Sequence, residues 1–187
     1  MPSFYTRKGD EGQTGLLGKK RVFKDDPIIE ALGSIDELSS IMGMARSASQ
    51  LALVQDLLVH IQRDLFHLSS EVAAAPEKIE RFNYVRLEHV EWFETEIASL
   101  EEKVVVPPYF ILAGDSKAGA AMDLARTITR RAERNMVKLA HSGIVINPFI
   151  LQYLNRLSSF LFVLELYEID QSGLKPTPAN TEKLRSS

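Results

Sequence analysis

The stretch Asn147–Ile169, NPFILQYLNRLSSFLFVLELYEI, sets the architecture. Asparagine followed by proline marks a helix start: the amide side chain caps the first turn, and proline's missing N–H is harmless at the first helical position. Apolar residues then fall on nearly every face, the pattern of a helix covered by others. Asn155, Arg156, Ser158 and Ser159 interrupt it. In a helix read as almost wholly buried, Asn155 either satisfies neighbouring backbone groups and fixes register or reaches a ligand.

Four further helices are available to cover that one. Asp26 and Pro27 repeat the cap-and-proline start, and Ile28, Leu32, Ile35, Leu38, Met42 and Ala45 follow at helical spacing. A second helix runs from about 51 to 74 with Val54, Leu58, Ile61, Leu65 and Leu68 on one face, and Pro76 ends it. A third spans about 83 to 103. Pro107 and Pro108 in VVVPPYFILAGD (104–115) then force an extended connection, whose apolar content predicts that it lies against something. The fourth starts near Asp115 or Ser116, reaches about His141 and is closed by Gly143. These readings give an all-α, five-helix antiparallel bundle forming one domain over 1–187. Residues 1 to about 25, polar and holding Gly9, Gly12, Gly15 and Gly18, read as a loop, and about 171–187 as a mobile tail.

Composition narrows the function. The 187 residues carry a formal net charge of −3 and no cysteine. Disulfides, thiolate metal sites and cysteine nucleophiles are excluded, and a general nucleic-acid surface is disfavoured. No apolar run approaches the roughly 20 residues that cross a bilayer, and MPSFYTRKGD lacks the apolar stretch of a secretion signal. A cytoplasmic protein is expected.

Against that acidic balance, ARTITRRAERNMVKLA (125–140) places Arg126, Arg130 and Arg134 on one helix stripe, extended by Lys138, with Arg131 a turn to the side. Glu133 alone cannot neutralise them. A solvated face is one reading. The other is an anion site, since arginine is suited to bidentate contacts with carboxylate and phosphate; Asp36 is a candidate acidic partner. TRKGDEGQTGLLGKKRVFK (6–24) adds glycines, hydroxyls and cations, a composition whose backbone amides can converge on phosphate oxygens. The histidines do not make a di-iron site: only Asp64-x-x-His67 approaches the Glu-x-x-His element.

Four blocks, YTRKGDEGQTGLLG, RVFKDDPIIEALGSIDELSSIMG, ARTITRRAER and YLNRLSSFLF, together resemble the PduO-type ATP:cob(I)alamin adenosyltransferases in order and spacing, from Phe4 to about Tyr167. The resemblance implies a homotrimer of five-helix bundles with active sites between subunits. It implies ATP binding through Thr6, Arg7, Lys8, Gly9, Thr14, Gly15 and Lys24, through Arg130, Arg131, Ala132, Glu133 and Arg134, and through Asn155. It also implies that Arg126 pairs across the subunit boundary with Asp36, these two and Arg130 serving catalysis. Phe110 would lie beside the corrin. FILAGD stands where the family has FILPGG, so that Ala113 and Asp115 replace proline and glycine; Lys19 and Lys20 stand where glycine is common, and Ser159 where aspartate is usual.

The implied reaction transfers the 5′-deoxyadenosyl group of ATP to cob(I)alamin, giving adenosylcobalamin and triphosphate. Mg²⁺ would be bound through the ATP phosphates, with no metal-ligating side chain. A reductase and an adenosylcobalamin-dependent enzyme would be partners; membrane and nucleic acid would not. The alternative is a non-catalytic ATP- or corrinoid-binding sensor or chaperone of the same fold.

Overall fold

The computed structural model describes residues 5, 7–18, 21–75, 78–144 and 146–180. After a two-stranded ribbon, β1 (Gln13–Gly15) and β2 (Arg21–Phe23), the chain forms α1 (Pro27–Ala48), α2 (Ala52–Val72), the single turn α3 (Ile79–Phe82), α4 (Leu87–Glu101), α5 (Lys117–His141) and α6 (Pro148–Gln171). The five long helices are the expected ones.

Local signals placed three of the helix starts. Asp26 Oδ1 accepts from Ile28 N at 2.9 Å, Ser116 Oγ from Gly119 N at 2.8 Å, and Asn147 Oδ1 from Phe149 N at 3.0 Å. Gly143, at φ 84°, turns the chain out of α5. The third expected helix begins later than the sequence suggested. The amides of Tyr84 and Val85 donate to Glu71 Oε2 at 3.0 and 2.9 Å instead of entering a helix, and α4 begins only at Leu87.

Successive long helices alternate in direction. Asn135 faces Ser34 and Arg131 faces Glu37, so α5 runs antiparallel to α1. Asn147 lies at Glu71 while Ser49 lies at Glu168, so α6 runs antiparallel to α2. The neighbours α4 and α6 run parallel, since Val85 meets Asn147 and Glu94 meets Arg156. The core between them holds Ile35, Leu38, Met42, Leu58, Ile61, Leu65, Phe93, Met122, Met136, Tyr153 and Phe160, all nearly inaccessible. By length and composition α6 could cross a membrane, contrary to the sequence expectation. However, 61% of its apolar window is buried in the bundle, which accounts for the composition.

Two expectations about the ends are corrected. The glycine-rich segment is partly regular: β1 pairs antiparallel with β2, and Leu17 exchanges backbone hydrogen bonds with Ala73 and Ala75 at 2.9 and 3.1 Å. The first part of the expected mobile tail is ordered as well. Leu112 N donates to Thr177 O at 2.8 Å and Ala179 N to Phe110 O at 2.7 Å, so residues 177–179 lie as a strap along the 110–112 connection. The rest of the tail, 181–187, lies outside the described residues. Asp64, half of the nearest approach to a di-iron element, is buried and accepts the hydroxyls of Tyr84 and Tyr153 at 2.7 and 3.2 Å. It serves packing.

Candidate active site

A cavity of about 500 Å³ opens where α4 ends, α5 begins and α6 passes its midpoint. The α4 residues Ile97 and Glu101 form one wall, and Val106, Phe110, Ile111 and Ala113 of the connection another. Asp123, Arg126 and Arg130 reach it from α5, and Ser158, Ser159, Phe162, Val163 and Glu165 from α6. Phe110 is 90% exposed, although an aromatic ring ordinarily gains from burial. Its backbone is nonetheless fixed by the strap, and Asp115 adds to it: its carboxylate accepts from Thr177 N at 2.9 Å and Oγ1 at 2.5 Å. The acid that distinguishes FILAGD thus ties the Phe110 segment to the C-terminal strap. Asp115→Ala should remove both bonds, a local loss of about 1–2 kcal/mol, and speed hydrogen exchange at the Leu112 and Ala179 amides about tenfold. Unchanged exchange at both amides would show that the strap does not depend on Asp115.

The arginine stripe is divided among different tasks. Arg126 is held by Asp123 on its own helix, Nη2 lying 2.7 Å from Oδ1. Arg131 is ion-paired with Glu37, the residue after Asp36, which is expected to pair with Arg126 of another subunit. Arg130 and Arg134 are exposed, with no ion pair to a carboxylate among the described residues. Ala132 is fully buried on the core side, with Ala125, Thr129, Met136 and Leu139. Its side chain therefore cannot contact a nucleotide; the small residue lets α5 pack closely.

Asn155 corrects another expectation, for it is exposed. Its Nδ2 donates to Glu133 Oε1 at 3.1 Å, and its Oδ1 accepts from Arg156 Nη1 at 3.1 Å, while Arg156 Nε donates to Glu94 Oε1 at 2.8 Å. This polar chain links α5, α6 and α4 on the surface that also carries Arg130. Asn155 and Ser159 are exposed, so α6 has an uncovered stripe.

The residues expected to hold ATP from the N-terminus stand elsewhere in the same chain. Arg7, at φ 58°, and Lys8 are exposed; Gly9 lies beside Lys24, such that a Cβ on it would be 3.4 Å from Nζ. Thr14 and Gly15 are in β1, and Arg21 Nη2 donates to Lys8 O at 2.6 Å, bracing the turn. Thr6, Lys19 and Lys20 lie outside the described residues. This ribbon is docked on the C-terminal end of α2, the end where α6 starts, whereas Phe110 lies farther along α6 near residues 158–165. Asp36 lines a separate shallow cavity of about 340 Å³ with Leu17 and Phe66. One chain therefore brings Phe110, Arg126 and Arg130 together but not Asp36 or the glycine ribbon.

Sequence reasoning passed over Glu37, Asp123 and Glu165. Asp123 had a usable signal, an acid three residues before Arg126 on one helix. Glu165 had another: an acid inside an otherwise apolar run. Burial, with further repulsion from Asp123 and against the pull of Arg126, pushes its carboxyl up to about 8.

Comparisons with known proteins agree with this geometry. The sequence pattern of the family described as Cobalamin adenosyltransferase matches residues 4–168. The corrinoid adenosyltransferase of Bacillus subtilis (strain 168) is 39% identical over 175 residues, covering 91% of this chain and 88% of its own. The PduO corrinoid adenosyltransferase of Citrobacter freundii is 36% identical over 167 residues, covering 87% of this chain. The chain spans about half the length, 48%, of that relative and of the one from Salmonella typhimurium. A phenylalanine-to-alanine variant of the PduO-type ATP:corrinoid adenosyltransferase from Lactobacillus reuteri, complexed with cobalamin and ATP, matches the fold with a TM-score of 0.89. It is 32% identical and covers 96% of this chain and 100% of its own. An arginine-to-lysine variant from the same source, complexed with ATP, has a TM-score of 0.86 at 31% identity and covers 95% and 100%. A five-helix bundle with an aromatic residue and arginines at one cavity, matched over nearly its whole length, belongs to the cobalamin adenosyltransferase family.

Proposed function

We propose that this chain transfers the 5′-deoxyadenosyl group of ATP to the cobalt of a reduced corrinoid, cob(I)alamin. The observation that carries the reading is the cavity itself, where the exposed Phe110 ring and the guanidinium-bearing residues Arg126 and Arg130 meet. A flat apolar substrate face suits the first, and a polyphosphate suits the second. In the reaction the cobalt supplies an electron pair to the 5′ carbon and forms the cobalt–carbon bond. The 5′ C–O bond breaks, and its pair leaves with the triphosphate. Because the substrate is itself the nucleophile, the protein needs no catalytic serine, cysteine or histidine. Its work is to align the two substrates and stabilise charge growing on the leaving phosphates, the task of Arg130 and Arg134. Mg²⁺ would be held through the phosphates and would neutralise part of the same charge; no cluster of three or more His, Asp or Glu side chains suited to a metal occurs among the described residues.

The separation of Phe110 from the glycine ribbon supports a site completed between subunits of a homotrimer. The ribbon of one copy would then deliver Arg7, Lys8 and Thr14, and Asp36 would meet Arg126 of the next. A reductase supplying cob(I)alamin and an enzyme receiving adenosylcobalamin would be its partners.

The decisive experiment combines chemically reduced cob(I)alamin, MgATP and purified protein under anaerobic conditions, followed by absorbance. The expected result is a light-sensitive alkylcobalamin spectrum that depends on both protein and ATP. ATP binding without conversion would instead favour a sensor or chaperone of the same fold.

A further inference from the structure

The cavity beside Phe110 holds a group that the phosphate chemistry does not use. Glu165 is 1% exposed, and its Oε1 is a buried oxygen without a hydrogen-bond partner. Buried polar atoms are rarely left so, because each forfeits its hydration. An apolar residue would continue the pattern of α6 without that loss. The position of the acid is well defined: Gly119 on α5 leaves the room its stem occupies, and a Cβ there would lie 3.4 Å from Glu165 Cγ. Glu165 is one of the residues bordering the cavity, which is large enough for part of a ligand, and its unpaired oxygen lies just beneath that surface.

The surroundings define what could pair with it. Asp123 and Arg126 of α5 act on its charge, as does Asp115 of the segment before α5. Glu101 of α4 and Arg130 of α5 line the same cavity, while Ser158 and Ser159 are the neutral polar groups of its own helix. Arg126 is already bound by Asp123, so at Glu165 its pull is outweighed by burial and by the charge of Asp123. A carboxyl kept neutral presents one O–H donor and one C=O acceptor, side by side. A primary amide presents the same pair in the opposite sense, and corrinoids carry primary amides around their ring.

We propose that Glu165 is a substrate-binding residue, its carboxyl forming a donor–acceptor pair with a primary amide at the rim of the corrinoid. This rests on the adenosyltransferase reading above. It assigns the unpaired Oε1 a partner, whereas Glu168, the other buried acid of α6, already accepts from Ser49 Oγ. It also makes corrinoid binding depend on one proton: below about pH 8 the carboxyl can donate, and above it the carboxylate cannot.

The test is an equilibrium titration of cob(II)alamin into protein holding MgATP, read by absorbance from pH 6.5 to 9.5. In the unaltered protein the corrinoid Kd should rise about tenfold between pH 7 and pH 9, following loss of the donating form. Glu165→Gln keeps a donor and an acceptor at every pH, so its Kd should stay level within about twofold. Glu165→Leu should bind the corrinoid about tenfold more weakly at pH 7, with no pH dependence. The ATP Kd should be common to all three proteins. A level pH profile in the unaltered protein, or an equal rise in Glu165→Gln, would overturn the assignment while leaving the adenosyltransferase reading standing. Absence of cobalamin binding at every pH, with ATP bound, would overturn both. Thermal melts of both variants separate weak binding from unfolding, and either variant alone suffices if the other does not fold.

Discussion

Arg130→Ala should lower kcat/KM for the proposed adenosyl transfer by about 10²–10³-fold and leave the melting temperature within about 2 °C of the unaltered protein. The two halves of this expectation have separate causes. Arg130 is exposed on α5 and reaches the cavity that Phe110 borders. No carboxylate among the described residues forms an ion pair with it, so removing it orphans no partner. Alanine is also the better helix former, which offsets any lost packing by the arginine stem. In the proposed reaction the guanidinium would face phosphates that gain further negative charge as triphosphate leaves, and a contact that strengthens in the transition state acts mainly on kcat. The matched control is Arg131→Ala. Glu37 already holds that guanidinium, so its loss should cost less than about tenfold in rate. Steady-state anaerobic assays on both variants, with a thermal melt of each, decide it. Near-normal turnover in Arg130→Ala would remove this arginine from the transition state.

What the sequence could and could not disclose follows from the range of the interactions. Asp26, Ser116 and Asn147 cap helices through contacts two or three residues away, so each start was readable from a few letters. The arginine stripe was equally local. Its partners were not: Asp36 and Glu37 differ by about 100° around α1, and only the register against α5 selects Glu37 for Arg131. The exposure of Asn155 was hidden for a similar reason. With apolar residues on nearly every face of α6, periodicity could not say which stripe a single chain leaves uncovered. The contiguous motif groups Ala132 with its charged neighbours, yet helical spacing from Ala125 and Leu139 places it in the core. The strap leaves no local mark in the sequence. Asp115 and Thr177 stand 62 residues apart, and nothing local to KPTPAN announces a partner. The resemblance to a family supplied the chemistry, while the structure supplied which of those residues one chain can bring together.

Glu71→Ala should be the most destabilising single change considered for this chain, by about 3 kcal/mol or more, lowering the melting temperature by about 6–12 °C. Glu71 is buried at the C-terminal end of α2. Its Oε2 accepts from the amides of Tyr84 and Val85, and its Oε1 from Asn147 Nδ2 at 2.7 Å. Asn147 in turn caps α6 through Oδ1 and donates to Val85 O at 2.7 Å. One carboxylate therefore fixes the end of α2, the entry to α4 and the first turn of the central helix. Alanine would leave two backbone donors without their acceptor and weaken the cap, and each such hydrogen bond to a charged group is worth about 1.5–3 kcal/mol. Glu71→Gln should fall between the two, because its amide offers a single acceptor oxygen and turns an NH₂ toward groups that also donate. Since Glu71 lies at the end of α6 away from the Phe110 cavity, kcat measured well below the transition should change by less than about threefold. A fall in rate as deep as that of Arg130→Ala, in protein shown to be folded, would mean that the start of α6 governs the cavity. A melting temperature within about 2 °C of the original would mean that the freed donors find water as good a partner.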